Sequence, residues 1–236
     1  MSMSGGIIMA KGEGARFRDR RDAGRQLARA LMRYKGAKDT IVLALPRGGV
    51  VIGYEVSLLL RLPLDVLVVR KLGTPLNPEL AMGALAETGY RHLNTDVITT
   101  YGVTVEQLEE EVGRQQEEIH RRIEMYRGGR PLPPLKGQTV IVVDDGIATG
   151  ATFYASLAAL RTAKVARVVA AVPVAPPEAS RELNRKVDEA VILQTPAWFF
   201  SISQFYESFP QVEDEEVLAC LETVREALSS GKTSAG

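Results

Sequence analysis

Residues 140–152 read VIVVDDGIATGAT, and the fold turns on them. Four apolar residues suit a strand buried on both faces. Two adjacent carboxylates, Asp144 and Asp145, end it. A short loop over Gly146, Ile147, Ala148, Thr149, Gly150, Ala151 and Thr152 then opens a helix that starts at about residue 150. Amides at a helix start, aided by the positive end of its dipole and by two hydroxyls, make a cradle for a phosphate dianion. Carboxylates repel phosphate. Their place beside such a cradle therefore points to a ligand that carries hydroxyls, or brings a metal ion, next to its phosphate. A strand, an acidic pair and a Gly/Thr turn also fit receiver-type and other nucleotide folds. Neither GxxxxGK followed by Ser or Thr nor GxGxxG occurs, which removes the two commonest nucleotide-loop readings.

Outward from this segment, apolar β-branched runs alternate with helical patterns. IVLAL (41–45) precedes a helix near 49–60, LDVLVVRK (64–71) reads as the next strand, and ARVVAAVPV and VDEAVILQ follow the motif with helices at about 150–162 and 177–185 between. Unpatterned apolar strands in β, α, β, α, β order predict an α/β fold: a doubly wound, mainly parallel five-stranded sheet flanked by helices, with its ligand site at the carboxyl ends of the strands. Five strands are too few for a (β/α)8 barrel. Upstream, Asp19 is placed to cap a helix over 19–34. Residues 72–103, rich in Gly and Pro, read as a loop with a hairpin pairing 80–86 with 90–94. Residues 104–127 form a helix with Val105, Leu108, Val112, Ile119 and Ile123 on one face, and with Glu110, Glu117 and Glu118 each four residues before an arginine.

The composition narrows the function classes. The chain has 236 residues, 45% apolar and 25% charged, with 29 basic and 29 acidic side chains. Zero net charge gives no global pull toward nucleic acid or an anionic membrane. Residues 11–38 carry ten basic and three acidic groups and residues 207–226 one basic and seven acidic, read as complementary faces that pack together. Cys220, the one cysteine, cannot form an internal disulfide and is expected to be a packed thiol; this thiol use points to a cytoplasmic setting. His92 and His120 are too few and too far apart for a Cys/His zinc site. No apolar run is long enough for a membrane span. MSMSGGIIMA reads as part of a flexible leader over 1–15, too weakly apolar for a signal peptide, and residues 229–236 as a flexible tail.

Residues 140–152 resemble the thirteen-residue 5-phosphoribosyl-1-pyrophosphate (PRPP) motif of the type I phosphoribosyltransferases. LALPRGGVVIG (43–53) resembles their pyrophosphate loop. FRDRRDAG (17–24), RKLGTPLNPELAMGAL (70–85) and FYESFPQVEDEEVL (205–218) look like a bacterial and archaeal subgroup whose acceptor is unknown. The resemblance spans about residues 16–226 and implies one domain over 16–228, with a core at about 38–195 and a hood built from 16–37 and 196–228. It implies that Asp144 and Asp145 hold the ribose hydroxyls and, largely through PRPP and water, Mg2+. It further implies that residues 146–152 hold the 5-phosphate, with Thr149 and Thr152 contributing hydroxyls, and that Arg47, Gly48 and Gly49 face the pyrophosphate. Arg70 and Lys71 are expected on the same sheet edge, on the other side of the pyrophosphate.

The implied activity is transfer of the phosphoribosyl group to an unidentified nitrogenous base with release of pyrophosphate, in a protein with no membrane partner and with the homodimeric state open. Residues 72–90 are the candidate lid. The 6-oxopurine members carry a third acid where this chain has Ala148, which disfavours that chemistry. Trp198, Phe199 and Phe200 begin a stretch, 198–209, holding six of the 14 aromatic residues; it reads as an acceptor pocket or as plain packing of the hood. A non-catalytic sensor that binds PRPP and uses the basic stretch from Lys11 to Lys38 on RNA or DNA is the rival reading, and hydrolysis with water as acceptor is a third.

Overall fold

The computed structural model describes residues 15–148 and 150–230. Along the chain run α1 (Arg20–Ala30), β1 (Thr40–Ala44), α2 (Gly48–Leu60), β2 (Leu64–Val66), β3 (Val69–Gly73), β4 (Ala81–Ala86), β5 (Arg91–Leu93), α3 (Thr95–Thr100), α4 (Val105–Arg127), β6 (Thr139–Val143), α5 (Ala151–Thr162), β7 (Arg167–Val174), α6 (Pro177–Lys186), β8 (Glu189–Gln194) and α7 (Asp214–Ser230). The chain divides into two compact units. The first comprises residues up to Val66, from Leu135 through the acidic pair, and from Val165 onward; the second comprises Leu67–Pro134 and Gly150–Lys164.

The first unit is built on a five-stranded sheet of order β2-β1-β6-β7-β8 with every neighbouring pair parallel. This is the expected α/β sheet. β1 and β6 are buried along their whole length, as strands covered on both faces must be, and each fully buried Val or Ile contributes about 1.5–3 kcal/mol of hydrophobic stabilisation. The sheet grows from β1 to β2 on one side and from β6 through β7 to β8 on the other. The direction of winding therefore reverses between β1 and β6, the place where sheets of this kind bind their ligands.

The N- and C-terminal segments join each other. Phe17 and Tyr206 form a parallel bridge: Phe17 donates its amide to the Phe205 carbonyl (2.8 Å), and Glu207 donates back to Phe17 (2.8 Å). Asp19 caps α1 by accepting from the Asp22 amide at 2.7 Å. Arg21 reaches Glu216 on α7 at 3.7 Å, one link between the basic and acidic stretches. Cys220 is buried, and its thiol is held above its usual range by desolvation. α7 continues through Ser230, so residues 229 and 230, expected in a tail, are helical; the rest of that tail, residues 231–236, and residues 1–14 of the expected leader lie outside the described residues.

In the second unit, β3, β4 and β5 form an antiparallel sheet, whose β4–β5 pair is the expected hairpin. The segment 64–71 is not one strand. After β2 the Val68 amide donates to Glu87 Oε1 at 2.7 Å, and β3 pairs with β4 instead of continuing the parallel sheet. Leu67 and Val68 are both fully buried, so the apolar run crosses the break with no change of texture. α4 starts with a capping box, in which Thr104 Oγ1 accepts from the Gln107 amide (3.3 Å) and Gln107 Oε1 from the Thr104 amide (3.0 Å). It buries Val112, Ile119 and Tyr126, whereas Val105, expected on the packed face, is 71% exposed. Among the described residues no helix is long and apolar enough to cross a membrane.

Candidate functional site

Asp144 and Asp145 lie one and two residues beyond the end of β6, and Arg47 lies three beyond the end of β1, its neighbour in register. Leu45 extends the pairing by donating its amide to the Val143 carbonyl (3.0 Å). The peptide between Pro46 and Arg47 is cis, and α2 begins at once with Gly48 and Gly49. Neither glycine takes a positive φ; both are needed for close approach. A Cβ on Gly48 would run into the Asp145 carboxylate and stand 3.0 Å from Arg20 Nε. One on Gly49 would stand 2.9 Å from the Val143 carbonyl oxygen and 3.0 Å from Asp144 Cα. The N-terminus of α2, with its free amides, is thus pressed against the acidic pair.

The chain segments before β1 and after β8 supply partners that lie outside residues 140–152 and 43–53. Arg20 donates from Nε to Asp145 Oδ2 at 2.8 Å, with the two side chains 10% and 13% exposed. Its other end donates to the Pro210 carbonyl at 2.6 Å, and the guanidinium lies 3.6 Å over the Phe209 ring. Tyr206 donates its hydroxyl to the Asp145 carbonyl oxygen at 2.6 Å. Arg47 meets Glu213 at 3.3 Å. Desolvation, and then the charge of Asp145, hold the Asp144 carboxyl well above the usual carboxylate range. Asp145 is raised by desolvation too, opposed by Arg20. The Tyr206 phenol is pushed up by burial and by the neighbouring Asp145 charge.

From Asp145 the chain turns inward. The Ile147 amide donates to the Val174 carbonyl (2.9 Å), and Gly146 lies so close to Ile202 that a Cβ would be 2.8 Å from its Cγ2; Ala148 is exposed. Thr149 lies outside the described residues. In the second unit Gly150, at φ +77°, occupies the N-cap of α5, and Ala151 and Thr152 form its first turn. A left-handed N-cap favours glycine there, and an L side chain would also strike the Tyr154 ring.

A family model described as phosphoribosyl transferase domain matches residues 17–209, well over half of the chain. The chain belongs to the phosphoribosyl transferase domain family. Its curated relatives include two Mycobacterium tuberculosis proteins, MT0597 of strain CDC 1551 and Rv0571c of strain H37Rv, both named provisionally as phosphoribosyl transferases. Each is 47% identical over 206 residues, which is 87% of this chain and 46% of the relative. The chain therefore spans about half the length of the curated relatives it matches. The crystal structure of TT1426 from Thermus thermophilus is 44% identical to it, covering 87% of this chain and 97% of that one with a TM-score of 0.74.

Within this phosphoribosyl transferase domain, the expectation for Arg70 and Lys71 is corrected. They lie on β3 of the antiparallel sheet, not at an edge of the parallel one, because the chain leaves that sheet after Val66. Arg70 donates to Gln115 (2.9 Å), and Lys71 reaches the Glu79 carboxylate and carbonyl, both at 3.1 Å. The turn before β4 is closed by Thr74, whose amide donates to the Leu80 carbonyl and whose hydroxyl donates to the Asn77 carbonyl.

The aromatic stretch splits in two. Phe17, Tyr206 and Phe209 pack together at centroid separations of 5.4 and 4.8 Å, and Phe199 packs on Phe205 at 5.2 Å. Trp198 and Phe200 are instead 80% and 84% exposed, on a loop pinned by Gln204, which bonds the Trp198 carbonyl and the Phe200 amide. Among the described residues no three His, Cys, Asp or Glu side chains gather as a metal cage. Two adjacent carboxylates are a donor set that fits Mg2+ arriving with substrate phosphates and water.

Sequence reasoning missed Arg20, Tyr206 and Glu213 as site neighbours. All three lie inside the stretches 17–24 and 205–218 that carry the family resemblance, and that was the only available signal.

Proposed function

We propose that this domain is an Mg2+-dependent phosphoribosyltransferase that binds PRPP, transfers the 5-phosphoribosyl group to a nitrogenous base and releases pyrophosphate. One observation carries the reading: paired carboxylates stand at the point where the sheet reverses its winding, against the glycine-opened N-terminus of α2. Carboxylates suit ribose hydroxyls and helix-start amides suit phosphate oxygens, so this juxtaposition accommodates both halves of an activated sugar.

In this reading Asp144 and Asp145 accept hydrogen bonds from the ribose 2- and 3-hydroxyls, and the segment 146–152 takes the 5-phosphate through amides other than that of Ile147, which is given to Val174, and through the Thr149 and Thr152 hydroxyls. The start of α2 and Arg47 take the pyrophosphate. Arg47 offers a planar donor fork, and Gly48 and Gly49 leave their amides unshielded. As pyrophosphate departs from C1, positive charge builds on the ribose ring beside the acidic pair, while Arg47 stabilises the negative leaving group. Asp144 or Asp145 would hold Mg2+, which would supply charge neutralisation to the departing pyrophosphate. The acceptor enters from the hood side, where the exposed aromatic side chains of Trp198 and Phe200 suit a planar base. Ala148 offers no side-chain acid to a purine nitrogen.

Cytoplasmic operation accords with the single buried thiol. Within the stretch expected to bind nucleic acid, Arg20 faces Asp145 and Arg21 and Arg25 face Glu55, so these three lend that reading no support. Isothermal titration with PRPP and Mg2+ tests the proposal. Wild type should bind, and Asp144→Asn with Asp145→Asn should weaken binding by at least about tenfold, two charge-assisted hydrogen bonds being lost. No binding by wild type, or unchanged binding by the variant, overturns it.

A further inference from the structure

Arg20 is 9% exposed, and its guanidinium makes three contacts: Nε on Asp145 Oδ2, the far end on the Pro210 carbonyl, and one face over Phe209. Packing alone would not require this. An apolar side chain would fill the same volume under Phe209 without burying a charge that must be matched. The match is made to one acid of the pair, and to the oxygen that also borders Gly48. Tyr206, on the other hood segment, fixes the backbone of the same residue through its carbonyl. Asp145 is therefore held twice, at side chain and main chain, by residues 125 and 61 positions away, whereas Asp144 bonds the adjacent Asp145 amide. A carboxylate that takes an arginine through one oxygen keeps its second oxygen and remaining lone pairs for another donor. Its orientation is then set before a ligand arrives.

We infer that Arg20 is a positioning residue for sugar recognition: by clamping Asp145 Oδ2 it aims the rest of that carboxylate at the ribose hydroxyls, and so decides how strongly the site prefers a phosphorylated sugar to bare phosphate. The inference rests on the PRPP reading above and adds to it a residue outside the 140–152 motif. Lysine cannot replace Arg20. Its single ammonium preserves the charge but cannot hold Asp145, the Pro210 carbonyl and the Phe209 face together.

The test compares the affinities of ribose 5-phosphate and inorganic phosphate by isothermal titration, with thermal unfolding followed in parallel. A purely structural role would weaken both ligands alike and leave their ratio unchanged. In folded Arg20→Lys the preference for ribose 5-phosphate should fall about tenfold, and adding Asp145→Asn should lower it no further, because the two residues act as one unit. An unchanged ratio in folded Arg20→Lys overturns the inference while the PRPP reading stands. A wild type that does not prefer the sugar phosphate overturns both. Should Arg20→Lys fail to fold, the neutral pair Arg20→Gln with Asp145→Asn leaves no buried charge unmatched. It should then show the same ratio as Asp145→Asn alone, and a further fall would sink the assignment.

Discussion

Asp144 occupies a place where its charge is costly. It is desolvated, it faces the like charge of Asp145, and the pair has one matching cation in Arg20. Its folded pKa is raised, so the native state holds the proton more tightly than the unfolded chain, whose aspartates titrate near about 3.9. Stability associated with this group is greatest below that value and declines as pH rises from it through the raised native value. Asp144→Asn does not titrate and escapes the decline. Urea unfolding should find the variant more stable than wild type at pH 7.5, by about 1 kcal/mol, with the gap closing toward pH 4. Equal stabilities at both pH values would contradict this account.

Arg47 is engaged in another way: the Glu213 carboxylate holds the guanidinium proposed for pyrophosphate. Because Glu213 is 62% exposed, the pair is weak and the competition modest. Glu213→Gln should strengthen inorganic pyrophosphate binding by about two- to fivefold at low salt, and by less at high salt, as titration calorimetry can read. Weaker binding in the variant would mean that Glu213 assists the ligand.

Among the elements, α4 pairs its charges at both i,i+3 and i,i+4 spacing. Periodicity predicts Glu117 with Arg121 and Glu118 with Arg122. In the structure Glu118 takes both arginines, Arg121 and Arg122 each donating from Nε at 2.7 Å, and Arg114 turns to Glu111. The hydrogen bond from Arg121 is the leading cause that brings the Glu118 carboxyl down to about 2. A lowered carboxylate pKa contributes stability above the unfolded value, about 4.3, that is lost as pH falls through the native one. Glu118→Gln should therefore cost about 1 kcal/mol near pH 7 and almost nothing at pH 2, measured by denaturant unfolding. The strand boundary after β2 differs from expectation because residues 64–71 are apolar enough to read as one strand, yet Leu67 and Val68 are buried where the chain passes from parallel to antiparallel pairing. Burial is uniform across that break, and hydrophobicity reports burial, not the hydrogen-bond partner.

In the molecule as a whole, the parallel α/β core, the site at the carboxyl ends of its strands, and the acidic pair with its glycine turn were legible in the residues, whereas the split of 64–71 and the helix α3 were not. What was legible is written in local texture: apolar runs of strand length, a cap such as Asp19, and small residues where backbones meet. The family followed from the same stretches. What lay beyond reach was which distant residue each charged group of the site would meet. Arg20 finds Asp145 from 125 residues away, Glu213 finds Arg47 from 166, and Arg70 and Lys71 go to a second sheet. A charged side chain looks alike in sequence whether it faces water or a buried opposite charge, because the difference lies in which distant segment folding brings beside it. Local propensity shapes the elements; only the closed fold selects the partners that desolvate, orient and neutralise the groups at their ends.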